Sequence, residues 1–373
     1  MSTIGTPIIV LGMHRSGTSL LAGTLKASGV FMGDDQNLMA AQEEVNAKGF
    51  WEHEGIVAIH DEIFKNLGSH WKQIASLPAG WQTDVRIEPF REQIISIIRS
   101  EFTGKGVWGL KDPRMCRLLP LWHTIFQKLN VRPKFIIISR HPFEVASSLT
   151  KRDTDLSWQY SLYLWLKYTL EAEEYSADYD RSWMTYEALN KDWQRTIIKT
   201  GKDLDLQWPL SPDEVEVKSK MKELVTEALW HNHADELVKN QTDDLDCTLD
   251  LYGILSDLSN SAENESKELN RIQHIREKIS STDRLLNKSN EPLIREYFQR
   301  EEIISNFQQE NTLLVQQREE FAALNKALRE ENELLVQQRD ESYLRTDELH
   351  TRINELHERL HSGLIGLLNR LLK

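Results

Sequence analysis

Two segments of this 373-residue chain carry side chains suited to binding anions. The first is residues 8–21, IIVLGMHRSGTSLL. An apolar run ends at Leu11, Gly12 and Gly17 bound a loop, and a helical pattern starts at Thr18. Strand, glycine-bounded loop and helix together aim backbone N–H groups and a helix N-terminus at a phosphate. The Gly12-to-Gly17 spacing matches G-x-x-x-x-G-K-[ST], but Thr18 stands where that pattern has Lys. A kinase or ATPase without that Lys loses its main charge on the β/γ-phosphates. Here the cation lies inside the loop, at Arg15, with His14 beside it. The second segment is residues 135–149, FIIISRHPFEVASSL. Arg140 follows an apolar run, Pro142 suits a helix start, and Ser148 lies eight residues beyond Arg140. An Arg fork matches a phosphate dianion, and a hydroxyl in the first turns of a helix adds to the favourable dipole.

Arg15-Ser16-Gly17-Thr18-Ser19 resembles the 5′-phosphosulfate loop of the sulfotransferases that use 3′-phosphoadenosine 5′-phosphosulfate (PAPS). Arg140 and Ser148, with Ser147 as an adjacent alternative, resemble the 3′-phosphate site of that family. Residues 183–189, WMTYEAL, resemble its strand-end Tyr-Glu-x-Leu segment, which places Tyr186 at the adenine. Lys111-Asp112-Pro113-Arg114 is similar to the Lys-Asp-Pro segment of glycan and tyrosyl-protein sulfotransferases. That likeness gives Lys111 the bridging oxygen or the sulfonate. Residues 49–61, GFWEHEGIVAIHD, resemble a block of bacterial sulfotransferase-like proteins in which an acidic residue follows an aromatic. It favours Glu52 as the base, ahead of His53, Glu54, Glu43, Glu44 and His60. Soluble cytosolic sulfotransferases instead carry a His just after the strand-end Lys, where this chain has Pro113. The chain therefore resembles the carboxylate-base branch.

The resemblance implies a PAPS-dependent sulfotransferase with no metal and a hydroxyl acceptor, a glycan before a lipid, a protein tyrosine or a small metabolite. Catalysis falls to Lys111, Glu52 and Arg15, and donor binding to Arg15, Ser16, Gly17, Thr18, Ser19, Arg140, Ser148 and Tyr186. Arg114 either binds an acidic acceptor or pairs with Asp112. One alternative is a P-loop nucleotide or small-molecule kinase with Asp112 as a Walker-B-like magnesium ligand. Another is an inactive sulfotransferase-like domain that serves as a coiled-coil scaffold. His231 and His233 stand two apart, do not share a helix face, and suggest no metal site.

The elements that must position these residues follow from hydrophobic patterning. Residues 7–11, 107–110, 135–139 and 182–185 are short apolar runs that suit buried strands. Helical stripes lie between them. Phe90, Ile94, Ile97 and Ile98 form one, with Pro89 near its start and Gly104 past its end. Leu118, Leu121, Trp122, Ile125 and Leu129 form a second, Pro142 opens a third, and residues 157–177 read as a long fourth. Alternating strands and helices predict a three-layer α/β domain with a central parallel sheet over residues 1–240, which the resemblance implies is P-loop-like. A polar, partly helical linker is expected at 241–300. A coiled coil is expected at 301–362 and a short amphipathic C-terminal helix at 363–373.

The coiled coil rests on an internal repeat, ENTLLVQQREE at 310–320 and ENELLVQQRDE at 331–341, three heptads apart. Leu314, Phe321, Leu328, Leu335, Leu349 and Leu356 occupy d positions, interrupted only by Ser342. Asn311, Asn325 and Asn332 at a favour a parallel homodimer in fixed register. Only Arg370 and Lys373 follow Leu360 to meet anionic lipid. Residues 360–373 therefore read as a helical cap rather than a membrane-surface helix.

Charge divides along the same lines. Residues 1–208 hold 24 basic and 25 acidic side chains, whereas residues 209–373 hold 21 and 33, so the net charge of −13 is a C-terminal property. That balance argues against a nucleic-acid partner. No run approaches a membrane span, and no basic stretch precedes an apolar run as in a signal peptide. Two cysteines, Cys116 and Cys247, are too few for a disulfide framework or a thiolate zinc site. A cytoplasmic location is the expectation.

Overall fold

The computed structural model describes residues 3–40, 51–224, 246–260 and 265–371; the side chains of 246, 281–306, 308, 309 and 368–371 lie outside that description. The chain divides into two units, Met1–Arg295 and Glu296–Lys373.

The first unit is α/β. Its strands β1 (Thr6–Leu11), β2 (Val107–Lys111), β3 (Lys134–Ser139) and β4 (Arg181–Thr185) form a parallel sheet in the order β2-β1-β3-β4. Each expected apolar run is a strand, extended by one residue at one end in every case. Register is set along β1, where Val10 faces Lys111 on one side and Ile136 on the other. Alternation explains why the runs are continuously apolar. Ile9, Leu11, Phe135 and Ile137 enter one core, while Ile8, Val10, Ile136 and Ile138 enter another across the sheet. Two cores on opposite faces make the three-layer arrangement.

Helices follow in chain order. They are α1 (Thr18–Ala27), α2 (Glu54–Asn66), α3 (Glu88–Glu101), α4 (Met115–Leu129), α5 (Pro142–Arg152), α6 (Trp158–Tyr175), α7 (Tyr186–Lys191), α8 (Trp193–Asp203) and α9 (Val215–Leu224). Helix α1 packs on one face through Leu21, Ala22 and Leu25; α3, α4 and α6 pack on the other. Chain direction reverses between β1 and β3: the path from β1 leads to β2, and the path from β3 leads to β4 on the opposite side. In open parallel sheets the crevice at the C-terminal ends of two such strands is where ligands bind.

Within 241–300, expected as a polar, partly helical linker, the described residues include two helices with buried faces. Helix α10 (Asp246–Asn260) buries Leu251, Ile254, Leu255 and Leu258. Helix α11 (Glu265–Leu371) begins by burying Ile272, Ile275 and Ile279. All seven join the core cluster that holds Ile9 and Phe135. Both sets are spaced by threes and fours, so each helix has an apolar stripe on an otherwise polar surface. The expected domain boundary near 240 falls among residues outside the description, as do His231 and His233.

In the second unit, α11 continues without interruption to Leu371, so 363–371 is no separate helix. Residues 310–367 are exposed throughout, including Leu314, Phe321, Leu328, Leu335, Leu349 and Leu356. Among the described residues no helix is long and apolar enough to cross a membrane.

Candidate functional site

The loop after β1 sits at the β1/β3 crevice, and its backbone is shaped for close approach. Gly12 lies against β3: a Cβ there would stand 2.5 Å from the Ile138 carbonyl oxygen. Its N–H donates to Cys116 Sγ at 3.2 Å. Arg15 adopts φ 70°, and Gly17 φ 88°, both left-handed. Gly17 is the N-cap of α1 and supplies no side-chain cap. Ser16 Oγ is buried without a hydrogen-bond partner among the described residues. A buried hydroxyl left unpaired is costly. Beside an uncapped helix N-terminus it completes a cradle for an anion.

Across the crevice, the strand–helix turn after β3 brings Arg140 and Ser148 to this loop. Arg15 Nε donates to Ser148 Oγ at 2.8 Å, and Arg140 Nη1 reaches the Arg15 carbonyl oxygen at 3.5 Å. The two sequence segments, more than a hundred residues apart, thus form one site. Burial, followed by repulsion from Arg152 and Arg140, pulls the Arg15 pKa below its ordinary value, while Asp153 acts in the opposite sense. Three guanidinium groups so close together favour an anionic ligand between them. Arg140 also donates from Nε to Glu144 Oε2 at 2.7 Å, an i,i+4 pair on α5. Tyr186, at the end of β4, lies under the Arg140 guanidinium at 4.6 Å. It also packs so tightly on Gly17 that a Cβ there would meet Tyr186 Cδ2 at 2.4 Å.

A third group lies at the end of β2. Lys111 Nζ donates to Glu52 Oε1 at 2.5 Å and to Ser19 Oγ at 3.2 Å, linking the candidate base to the first turn of α1. Glu52 is fixed on both sides. Its carbonyl oxygen accepts from Met39 N, and the next residue, His53, caps α2 by accepting from Ile56 N. Both Lys111 and Glu52 are buried. Burial raises the Glu52 pKa above the usual carboxylate range, against the opposing pull of Lys111.

The other base candidates separate clearly. His53 spends Nδ1 on the α2 cap and places Nε2 2.9 Å from Glu101 Oε2, so it is structural. His60 is structural too. Trp122 Nε1, which can only donate, reaches His60 Nε2 at 3.0 Å, so the proton sits on Nδ1 and donates to Asp112 Oδ2 at 2.7 Å. Glu54 is an exposed residue in the first turn of α2. Glu43 and Glu44 lie outside the described residues.

Asp112, the magnesium ligand of the kinase alternative, is fully engaged. Oδ2 holds His60, and Oδ1 accepts from Arg114 N and Arg114 Nη1, both at 3.0 Å. Burial alone would raise its pKa, but Arg114 and the His60 hydrogen bond hold it well below the carboxylate range. Arg114 also pairs with Asp61 through Nε at 2.6 Å, so it belongs to a structural network.

Cys116, Glu144 and the Asp112–His60–Trp122 chain were not assigned from sequence. Only Glu144 left a signal there, its four-residue spacing from Arg140 on a helix. The other contacts join residues far apart in sequence.

No family model matches the chain, and no curated protein matches it. Among solved structures the chain is similar to the sulfotransferase domain from the Synechococcus PCC 7002 olefin synthase. Identity is 15%, the match covers 64% of this chain and 90% of that one, and the TM-score is 0.35.

Proposed function

We propose that the first unit is a PAPS-dependent sulfotransferase that acts on a hydroxyl acceptor, with a glycan as the favoured class. The observation that carries this reading is the convergence of Arg15, Ser16, Arg140 and Ser148 in one crevice, with Lys111 and Glu52 beside it. The residues fit the donor. Ser16 Oγ awaits a partner, and the Gly17–Ser19 turn suits a 5′-phosphosulfate. Arg140 with Ser148 suits a 3′-phosphate, and Tyr186 suits adenine. When bound, the donor supplies an activated sulfuryl group.

The chain's own residues divide the remaining work. Arg15 and Lys111 hold negative charge on the group in flight and on the leaving phosphate oxygen. Glu52 takes the proton of the acceptor hydroxyl, a task for which a raised carboxylate pKa is suited. Thr18 stands where a P-loop kinase has its Lys, and the Asp112 oxygens already accept from His60 and Arg114. The second unit is proposed to be a parallel homodimeric coiled coil.

Calorimetry with adenosine 3′,5′-bisphosphate, with and without magnesium, tests the donor assignment. Heat of binding in both conditions is expected. No heat in either refutes the assignment, and binding of ATP only with magnesium supports the kinase instead.

A further inference from the structure

His14 and Arg15 are consecutive, yet they serve different surroundings. Arg15 turns to Ser148 and the donor crevice. The His14 ring packs against Trp71, centroids 4.5 Å apart, and edge-on to Tyr168 at 6.1 Å. Its Nε2 is buried and has no hydrogen-bond partner among the described residues. A buried ring nitrogen left unpaired is unfavourable unless a group beyond the described residues completes it.

His14 and Glu52 also share an environment. Burial lowers the His14 pKa well below its ordinary value, and Arg114, Arg152 and Lys111 push the same way against Asp112. Lys111, Asp112 and Arg114 likewise act on Glu52. His14 lies two residues beyond Gly12, whose N–H donates to Cys116 Sγ near the start of α4, just past the end of β2 where Lys111 and Glu52 pair. A neutral imidazole among cations is a poor base but a competent hydrogen-bonding group.

This inference rests on the sulfotransferase reading. In that reaction the acceptor oxygen forms the new bond to sulfur. The bond from sulfur to the 5′-phosphate oxygen breaks, that oxygen keeping the electron pair. The single proton of the reacting hydroxyl passes to Glu52, so His14 is left for a different hydroxyl. We propose that His14 is an acceptor-binding residue whose Nε2 exchanges a hydrogen bond with the hydroxyl adjacent to the reacting one. The acceptor is accordingly a vicinal diol, as in a sugar ring.

Transfer to 4-nitrocatechol and to 4-nitrophenol provides the test, since the two differ by one neighbouring hydroxyl. The wild type should prefer the catechol in kcat/KM by about tenfold, the range of one hydrogen bond. His14→Phe keeps an aromatic ring beside Trp71 but removes the nitrogen, and should abolish the preference; His14→Gln should restore part of it. Calorimetry with adenosine 3′,5′-bisphosphate on each variant separates the two levels of the argument. A wild type that binds the bisphosphate but transfers to both probes equally, or to neither, overturns the His14 assignment and leaves the donor reading standing. A His14→Phe variant that keeps the wild-type preference overturns it as well, because packing alone would then explain the residue. A wild type that binds no bisphosphate overturns both.

Discussion

The Lys111–Glu52 pair sets the residue-scale behaviour of the site. A carboxylate acting as base must be ionised, so the rate should rise with pH through the Glu52 pKa. Burial places that acid limb above the ordinary Glu value of about 4.3. Stability runs the other way. A carboxylate whose pKa is raised by folding contributes stability below its unfolded pKa and loses it as pH rises through the folded one. Glu52→Gln should lower kcat at least about 100-fold, remove the acid limb, and leave bisphosphate affinity within a few-fold. Calorimetry and a pH–rate profile check both points. Lys111→Met alone strands a buried carboxylate and should cost about 3–5 kcal/mol in urea unfolding, most of it recovered when Glu52→Leu is added. Arg15→Ala and Arg140→Ala should each weaken bisphosphate binding by roughly 10- to 100-fold, the range for a hydrogen bond to a charged group.

At the scale of elements, two contacts hold the strand ends in position. Gly12 lets the loop after β1 lie against β3, and a Cβ would run into the Ile138 carbonyl oxygen at 2.5 Å. Gly12→Ala should separate loop and strand at a cost of about 1–3 kcal/mol and abolish bisphosphate binding, as read by thermal shift and calorimetry. Asp112 ties the end of β2 to α2 through His60 and to the start of α4 through Arg114. Its depressed pKa means that its contribution is present above the unfolded value of about 3.9 and fades as pH falls through the folded one. Asp112→Ala should therefore destabilise by about 3–5 kcal/mol near neutrality and by less in acid. These ties also show where sequence reading stops. The strands were legible because each is a continuous apolar run bounded by turn residues, and the phosphate loop because its glycine spacing is local. The Gly12–Cys116 and Asp112–His60–Trp122 contacts span 52 to 104 residues and leave no local pattern. Helix α10 falls within the expected partly helical linker because polar residues flank it, although Leu251, Ile254, Leu255 and Leu258 carry a helical period.

At the scale of the whole molecule, the second unit poses an energetic problem that a second copy would solve. Among the described residues, the d-position side chains of α11 are about half exposed or more, from Leu328 at 47% to Phe321 at 68%. A solitary helix of this kind buries almost nothing and is not held by propensity alone. Because α11 runs to Leu371 without a break, it has no turn by which to fold back on itself within 310–371. We propose that a second copy supplies the cover for its stripe. The three-heptad repeat supplies a matching stripe in a second copy, and the Asn residues at a favour parallel alignment in register. Arg318 and Arg339, also at a, keep their charged ends in water by extending along the seam. Sedimentation should give a dimer for the full chain, with a helical melting transition that rises with protein concentration. Leu328→Lys together with Leu335→Lys puts like charges at two layers of the seam and should yield monomers that bind adenosine 3′,5′-bisphosphate as the wild type does. A wild-type chain that sediments as a monomer with full helicity at every concentration would remove the dimer from this picture. Concurrent loss of bisphosphate binding in the dimer-breaking variant would instead mean that the second unit helps to build the donor site.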